Sequence, residues 1–94
     1  MVKRLVVTRN AYLDIDRIIE FNNLRNYSDT YSRKFVKALF KQFKVIQKQP
    51  GMGVSTRKEN VLLLIWDSYY VYYSVGETFI EILAIFHQRE DVSR

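Results

Sequence analysis

Pro50-Gly51-Met52-Gly53 separates two kinds of sequence. Upstream of it the apolar residues recur at helical spacing: Tyr31, Phe35, Ala38 with Leu39, Phe43, Ile46. Downstream they gather in short runs rich in β-branched and aromatic residues: Val61–Trp66, Tyr69–Val75 and residues 79–86. A 3.6-residue period predicts an amphipathic helix, and such runs predict strands. Proline has no N–H to donate and glycine is a poor helix former, so the four residues between read as a helix stop and a turn. The chain is therefore expected to be α+β, with helices first and a sheet after.

Working outward, residues 11–23 carry Ala11, Ile15, Ile18, Ile19 and Asn22 along one helical stripe, with Asp14, Asp16, Arg17 and Glu20 mostly off it. Residues 3–7 have a strand's composition, and Thr8 or Asn10 can cap the first helix by accepting from its unpaired N–H groups. The stretch Asn22-Asn23-Leu24-Arg25-Asn26-Tyr27 reads as a helix end and loop. Ser28 or Asp29 then caps a longer helix running to about residue 49. So short a connection predicts an antiparallel helical hairpin. Beyond the stop, Asp67-Ser68 and Gly76-Glu77-Thr78 are turns, which predicts an antiparallel meander.

Alternation along the strands assigns faces. Tyr69, Val71, Tyr73 and Val75 share one face, Tyr70, Tyr72 and Ser74 the other. On the last strand Ile80, Ile82, Ala84 and Phe86 oppose Phe79, Glu81, Leu83, Ile85 and His87. The all-apolar set is expected against the helices. The opposite face then carries Leu83 and Ile85 together with Tyr70 and Tyr72, a half-apolar surface that predicts a covering partner. The expected architecture is one domain over residues 1–94: an N-terminal strand and a helical hairpin packed on an antiparallel sheet.

Composition narrows the function classes. The net charge is +5, with 48% hydrophobic residues and no cysteine. Absence of cysteine excludes disulfides and thiolate metal sites, and one histidine with scattered acids makes no metal site. The longest apolar run, Val61–Trp66, is far short of the ~20 residues that span a bilayer. The opening Met1-Val2-Lys3-Arg4 does not read as a signal peptide, so a cytoplasmic protein without membrane partners is expected. Gly51-Met52-Gly53 lacks the spacing and the following lysine of a phosphate loop, and no cofactor is implied.

The positive charge is concentrated. Between residues 30 and 58 lie eight basic residues and no acidic one. Among them Lys34, Lys37, Lys41, Lys44 and Lys48 follow i, i+3, i+7, i+10, i+14, one face of the second helix. Exposed helix faces usually mix signs, because like charges at this spacing repel. An unmixed stripe points to an acidic partner surface or to phosphates, and its plainer reading is a solvated face. His87 is the residue best suited to proton transfer near neutrality, and Arg89 beside it could hold a phosphate; the plainer reading is a strand end with local bonds. Tyr69 and Tyr73 read as core, which leaves Tyr70 and Tyr72 as tyrosines available to a binding face.

Four pieces, in order, carry a family resemblance. They are Ala11-x-x-Asp14-Ile15-x-x-Ile18-x-x-Phe21; Ile46-x-x-x-Pro50 with Met52-Gly53; Tyr69-x-Val71-x-Tyr73; and Ile82-Leu83-x-Ile85-x-His87-x-Arg89. Together they cover nearly the whole chain and resemble the RelE/ParE superfamily of small bacterial toxins. The resemblance implies the toxin of a type II toxin–antitoxin pair and, as partner, a small, acidic antitoxin with a DNA-binding domain.

Two branches of that family imply different chemistry. RelE-like members look like ribosome-dependent messenger-RNA endonucleases, whose sheet carries basic residues and a C-terminal arginine, histidine or tyrosine. In-line attack by a ribose hydroxyl needs a base, an acid and cations for the charged phosphorane. Here the strand in question is the uncharged Val61–Trp66, and Tyr70 stands at the arginine position. The candidates for a catalytic set are His87, Arg89, Tyr72 and Lys58, with Arg57 beside Lys58 at the approach to that strand. ParE-like members look like inhibitors of DNA gyrase that act by binding, and the His87-x-Arg89-x-Asp91 ending resembles that branch. The expectation is a ParE-like gyrase inhibitor and not an enzyme. The alternatives are an endoribonuclease acting on the ribosome and its messages, or a non-toxic relative that only binds antitoxin. The residues expected at partner surfaces are the five lysines, Tyr70, Tyr72, Leu83, Ile85 and Arg89.

Overall fold

In the computed structural model, which describes residues 3–90, the elements run β1 (Arg4–Val7), α1 (Arg9–Asn26), α2 (Thr30–Lys48), a 3-10 turn (Pro50–Met52), β2 (Val54–Ser55), β3 (Val61–Trp66), β4 (Tyr69–Val75) and β5 (Phe79–His87). The Thr8 hydroxyl caps α1 by accepting from the Ala11 N–H at 3.3 Å. Tyr27 ends α1 in the left-handed region with φ 53° and is 96% exposed. Asp29 occupies the cap position of α2, but its carboxylate pairs with Arg33 at 2.8 Å and makes no cap bond. The Ser28 hydroxyl accepts the Thr30 N–H instead.

The sheet order is β1-β5-β4-β3-β2. Strands β3, β4 and β5 form the expected antiparallel meander. β1 lies parallel to β5, from Arg4↔Phe79 to Val7↔Ile82, so the sheet is mixed and not wholly antiparallel. A parallel neighbour needs a long connection, and both helices with the whole meander supply it. Both helices pack on one face of this sheet. α2 buries Ser32, Phe35, Leu39, Phe43 and Ile46 against Leu64, Tyr69, Val71 and Tyr73. Phe35 sits 4.8 Å from the Tyr69 ring and 6.0 Å from Trp66.

The helix stop is tied to the sheet by one phenol. Tyr73 is fully buried; its hydroxyl donates to the Pro50 carbonyl at 2.8 Å and accepts the Gly53 N–H at 3.0 Å. A Cβ on Gly53 would lie 2.6 Å from that hydroxyl and 3.0 Å from the Leu63 carbonyl oxygen. Glycine is required here by close approach, since its φ of −73° is open to any residue.

One irregularity in β5 corrects the face assignment. Tyr72 pairs with Ala84 but Tyr73 pairs with Ile82, which leaves Leu83 as an extra residue. An extra residue reverses the alternation of everything beyond it. Ile80 and Ile82 face the helices as expected, but from there on it is Ile85 and His87 that do so, and Ala84 and Phe86 that face away. Ile85, expected on the open face, is 0% exposed in the core. Phe86 is shielded on the open face by Tyr72, 6.1 Å away, and by the Arg17 guanidinium, 5.8 Å away.

Candidate functional site

β5 outruns β1, so beyond Ile82 its outer edge has no strand beside it. Unpaired edge groups are costly when buried, and α1 supplies side chains in place of a strand. The Asp14 carboxylate accepts the Ile85 N–H at 2.9 Å, and Arg17 donates to the Ile85 carbonyl at 3.1 Å. Glu90 folds back to accept the His87 N–H at 2.9 Å and pairs with Arg17, which also holds Asp14 at 3.1 Å. Burial disfavours the Glu90 charge, but bonds from Arg17 and the His87 N–H and the charge of Arg17 outweigh it, so its pKa is lowered. Asp14 was expected off the buried stripe and is only 8% exposed. The sequence signal was an opposite-charge i,i+3 pair, which reads as an ordinary surface pair.

Of the four candidate nuclease groups, His87 and Arg89 come together, but Tyr72 and Lys58 do not join them. Tyr72 lies on the face away from the helices, and His87 pairs with Tyr69 on the helix side, edge-on to its ring at 5.2 Å. His87 Nδ1 accepts the Arg89 N–H at 3.1 Å, a local strand-end bond. Lys58 sits in the turn before β3, whereas His87 lies beside the β3–β4 turn, one strand length away. Six residues of strand put those ends roughly 15–20 Å apart. Asp91, part of the C-terminal motif, lies outside the described residues. Among the described residues no cluster of His, Asp and Glu could hold a metal ion, and no helix is long and apolar enough to cross a membrane.

The five stripe lysines are all exposed along α2. On the open sheet face Val61, Leu63 and Ile65 stand beside Ser74, Tyr72 and Tyr70, with Ala84 and Phe86 from β5. Ile65 is 59% exposed there, so the surface is apolar and aromatic as expected, though from a partly different set of residues. Leu83 is half-buried at the bulge. Tyr70 and Tyr72 are half-buried on this face, and Arg89 is exposed at one end of the sheet.

At that end, between α1, the β3–β4 turn and the close of β5, lies a cavity of about 770 Å³. Arg17, Arg25 and Arg89 line it with His87, Asn22, Phe21, Tyr31 and Tyr69. Burial, then the neighbouring Tyr31 hydroxyl, pushes the Tyr69 pKa up to about 12, so this phenol stays protonated. Asn22 lies beside the Tyr69 hydroxyl, yet its buried Nδ2 makes no hydrogen bond of proper geometry. Neither the cavity nor Asn22 was foreseen as functional from the sequence, where Asn22 reads as part of a buried stripe.

The fold has known counterparts. The fold is similar to that of the chromosomal ParDE toxin–antitoxin system from P. aeruginosa, with a TM-score of 0.78, 23% identity, and coverage of 92% of this chain and 96% of that one. It is also similar to the RelBE2 toxin–antitoxin complex from Mycobacterium tuberculosis, with a TM-score of 0.68, 16% identity, and coverage of 93% and 99%. At these identities both are likenesses of fold. No curated protein matches in sequence. The family model described as the ParE toxin of the type II toxin–antitoxin system parDE matches residues 5–92. With nearly its whole length matched, the chain belongs to the ParE toxin family of type II toxin–antitoxin systems.

Proposed function

We propose that this toxin acts in the cytoplasm by binding DNA gyrase, and that a cognate antitoxin neutralises it by covering its apolar surfaces. The observation that carries the choice of target is the separation of the four candidate catalytic residues: Lys58 at one end of the sheet, His87 and Arg89 together at the other, and Tyr72 on the opposite face from His87. A nuclease must gather such groups around one phosphate, and each missing donor typically costs ~100–1,000-fold in rate. Inhibition by binding has no such requirement.

Purified protein is expected to block supercoiling by gyrase in vitro, and its induction to trigger the DNA-damage response while ribosome-bound messages stay intact. His87→Ala should retain most of this inhibition. Codon-phased cuts in translated messages, abolished by His87→Ala or Arg89→Ala, would overturn the gyrase reading in favour of a nuclease.

Two surfaces support an acidic, partly apolar antitoxin segment: the open sheet face around Ile65 and the exposed lysine stripe. Changing Lys37, Lys41 and Lys44 together to Gln should leave the melting temperature within a few degrees, because exposed substitutions usually cost less than ~0.5 kcal/mol each. Association with the antitoxin should slow and lose part of its salt dependence, as expected of charges that steer encounter. Stopped-flow association rates at low and high salt measure this; an unchanged salt slope would reduce the stripe to a solvated face.

A further inference from the structure

We propose that the cavity at the close of β5 seats a carboxylate of an acidic antitoxin segment, with an apolar side chain of the same segment beside it; this rests on the toxin–antitoxin reading above. The cavity offers donors and, among the described residues, has no free carboxylate. Both oxygens of Glu90 are taken, one by the His87 N–H and one by Arg17. Arg25 and Arg89 make no ion pair among the described residues, so the lining carries a net charge of +2 with His87 neutral. Asn22, 7% exposed, holds its Nδ2 beside the Tyr69 hydroxyl but outside good hydrogen-bond geometry. Buried amides left unpaired are rare in folded proteins, and an entering oxygen would satisfy this one.

The planar, forked guanidinium groups of Arg25 and Arg89 match a carboxylate. About 770 Å³ is too large for an inorganic ion alone and falls in the range of sites that hold a ligand with an apolar body. Phe21 and Tyr31 provide the apolar wall; they are 61% and 46% exposed and stand ready for contact. A segment of peptide supplies both parts: a charged carboxylate for the arginines and an aliphatic or aromatic neighbour for the wall.

The test uses the full-length toxin and the protein encoded by the adjacent reading frame, with affinity and rates followed by calorimetry and surface plasmon resonance. Arg25→Glu and Arg89→Glu change exposed side chains and should fold normally. Each is expected to weaken binding about 10-fold or more, mainly through faster dissociation, as for a charge buried at a contact. Arg9→Glu makes the same charge change at an exposed site outside the cavity and should alter affinity less than threefold. An Asp or Glu to Arg change in the partner should restore binding to Arg25→Glu. The Asn22 side-chain amide resonances should shift on complex formation and remain unmoved by inorganic phosphate alone. Wild-type binding with Arg25→Glu and Arg89→Glu unaffected would overturn the inference and leave the toxin–antitoxin reading standing. No binding by the wild type would overturn that reading itself. Phosphate that saturates the Asn22 shift would overturn the carboxylate in favour of a phosphorylated ligand.

Discussion

Asp14→Ala is expected to lower the melting temperature by about 10–20 °C. The substitution leaves the Ile85 N–H buried at a strand edge with no acceptor, and it strips Arg17 of one of its two carboxylates. A buried group deprived of its charged partner costs roughly 2–4 kcal/mol, a large share of the stability of a small domain. For a domain of this size each 1 kcal/mol shifts the melting temperature by about 4–8 °C. Asp14→Asn keeps an oxygen that can accept the Ile85 N–H and should cost less than half as much. Thermal and urea denaturation monitored by circular dichroism measure both. If Asp14→Ala loses less than about 1 kcal/mol, the edge of β5 is held by something other than α1.

Gly53→Ala is expected to cost about 1–3 kcal/mol, because its new methyl meets the Tyr73 hydroxyl at 2.6 Å, closer than real contacts reach, and crowds the Leu63 carbonyl at 3.0 Å. Tyr73→Phe should cost a similar amount for a different reason, since the hydroxyl bridges Pro50 and Gly53 in the interior. The two costs should not add. Once the hydroxyl is gone the nearest obstacle to the added methyl is gone, so the double variant should be more stable than the sum of the single effects implies. A double-mutant cycle by chemical denaturation reads this coupling directly. Strict additivity would mean that the Leu63 backbone, and not the phenol, is what excludes a side chain at residue 53.

Both variants sit where one part of the chain meets another, and there the sequence was least readable. Asp14 lies on α1 and accepts from residue 85, and Arg17 one turn on reaches residue 90, so the bonds that bury this pair join positions about seventy residues apart. Nothing in the spacing around residue 14 distinguishes a side chain that stands in for a β-strand from one that points to water. The cavity is of the same kind: it is lined from α1, the start of α2, the β3–β4 turn and the residues after β5, none of which carries it alone.

By itself the sequence determined the two helices, the first strand and the three strands of the meander, and their local faces up to Ile82. The α2 stripe of Phe35, Leu39, Phe43 and Ile46 is buried, the opposing lysines are exposed, and the chain turns at Pro50 and Gly53. Tyr69 and Tyr73 lie in the core, with Tyr70 and Tyr72 on the other face. These follow from short-range periodicity, turn chemistry and the pleat of a strand, which a few neighbouring residues define. Only the tertiary structure decided that β1 lies parallel to β5, that Leu83 is extra in its strand, and that Ile85 and His87 therefore face the helices. A bulge is a property of a pair of strands. It exists only in the register one strand takes against another, and along residues 79–87 alone the alternation reads without a break. That single residue moves His87 away from Tyr72 and the open face, which is why the sequence could name candidate residues but could not place them together.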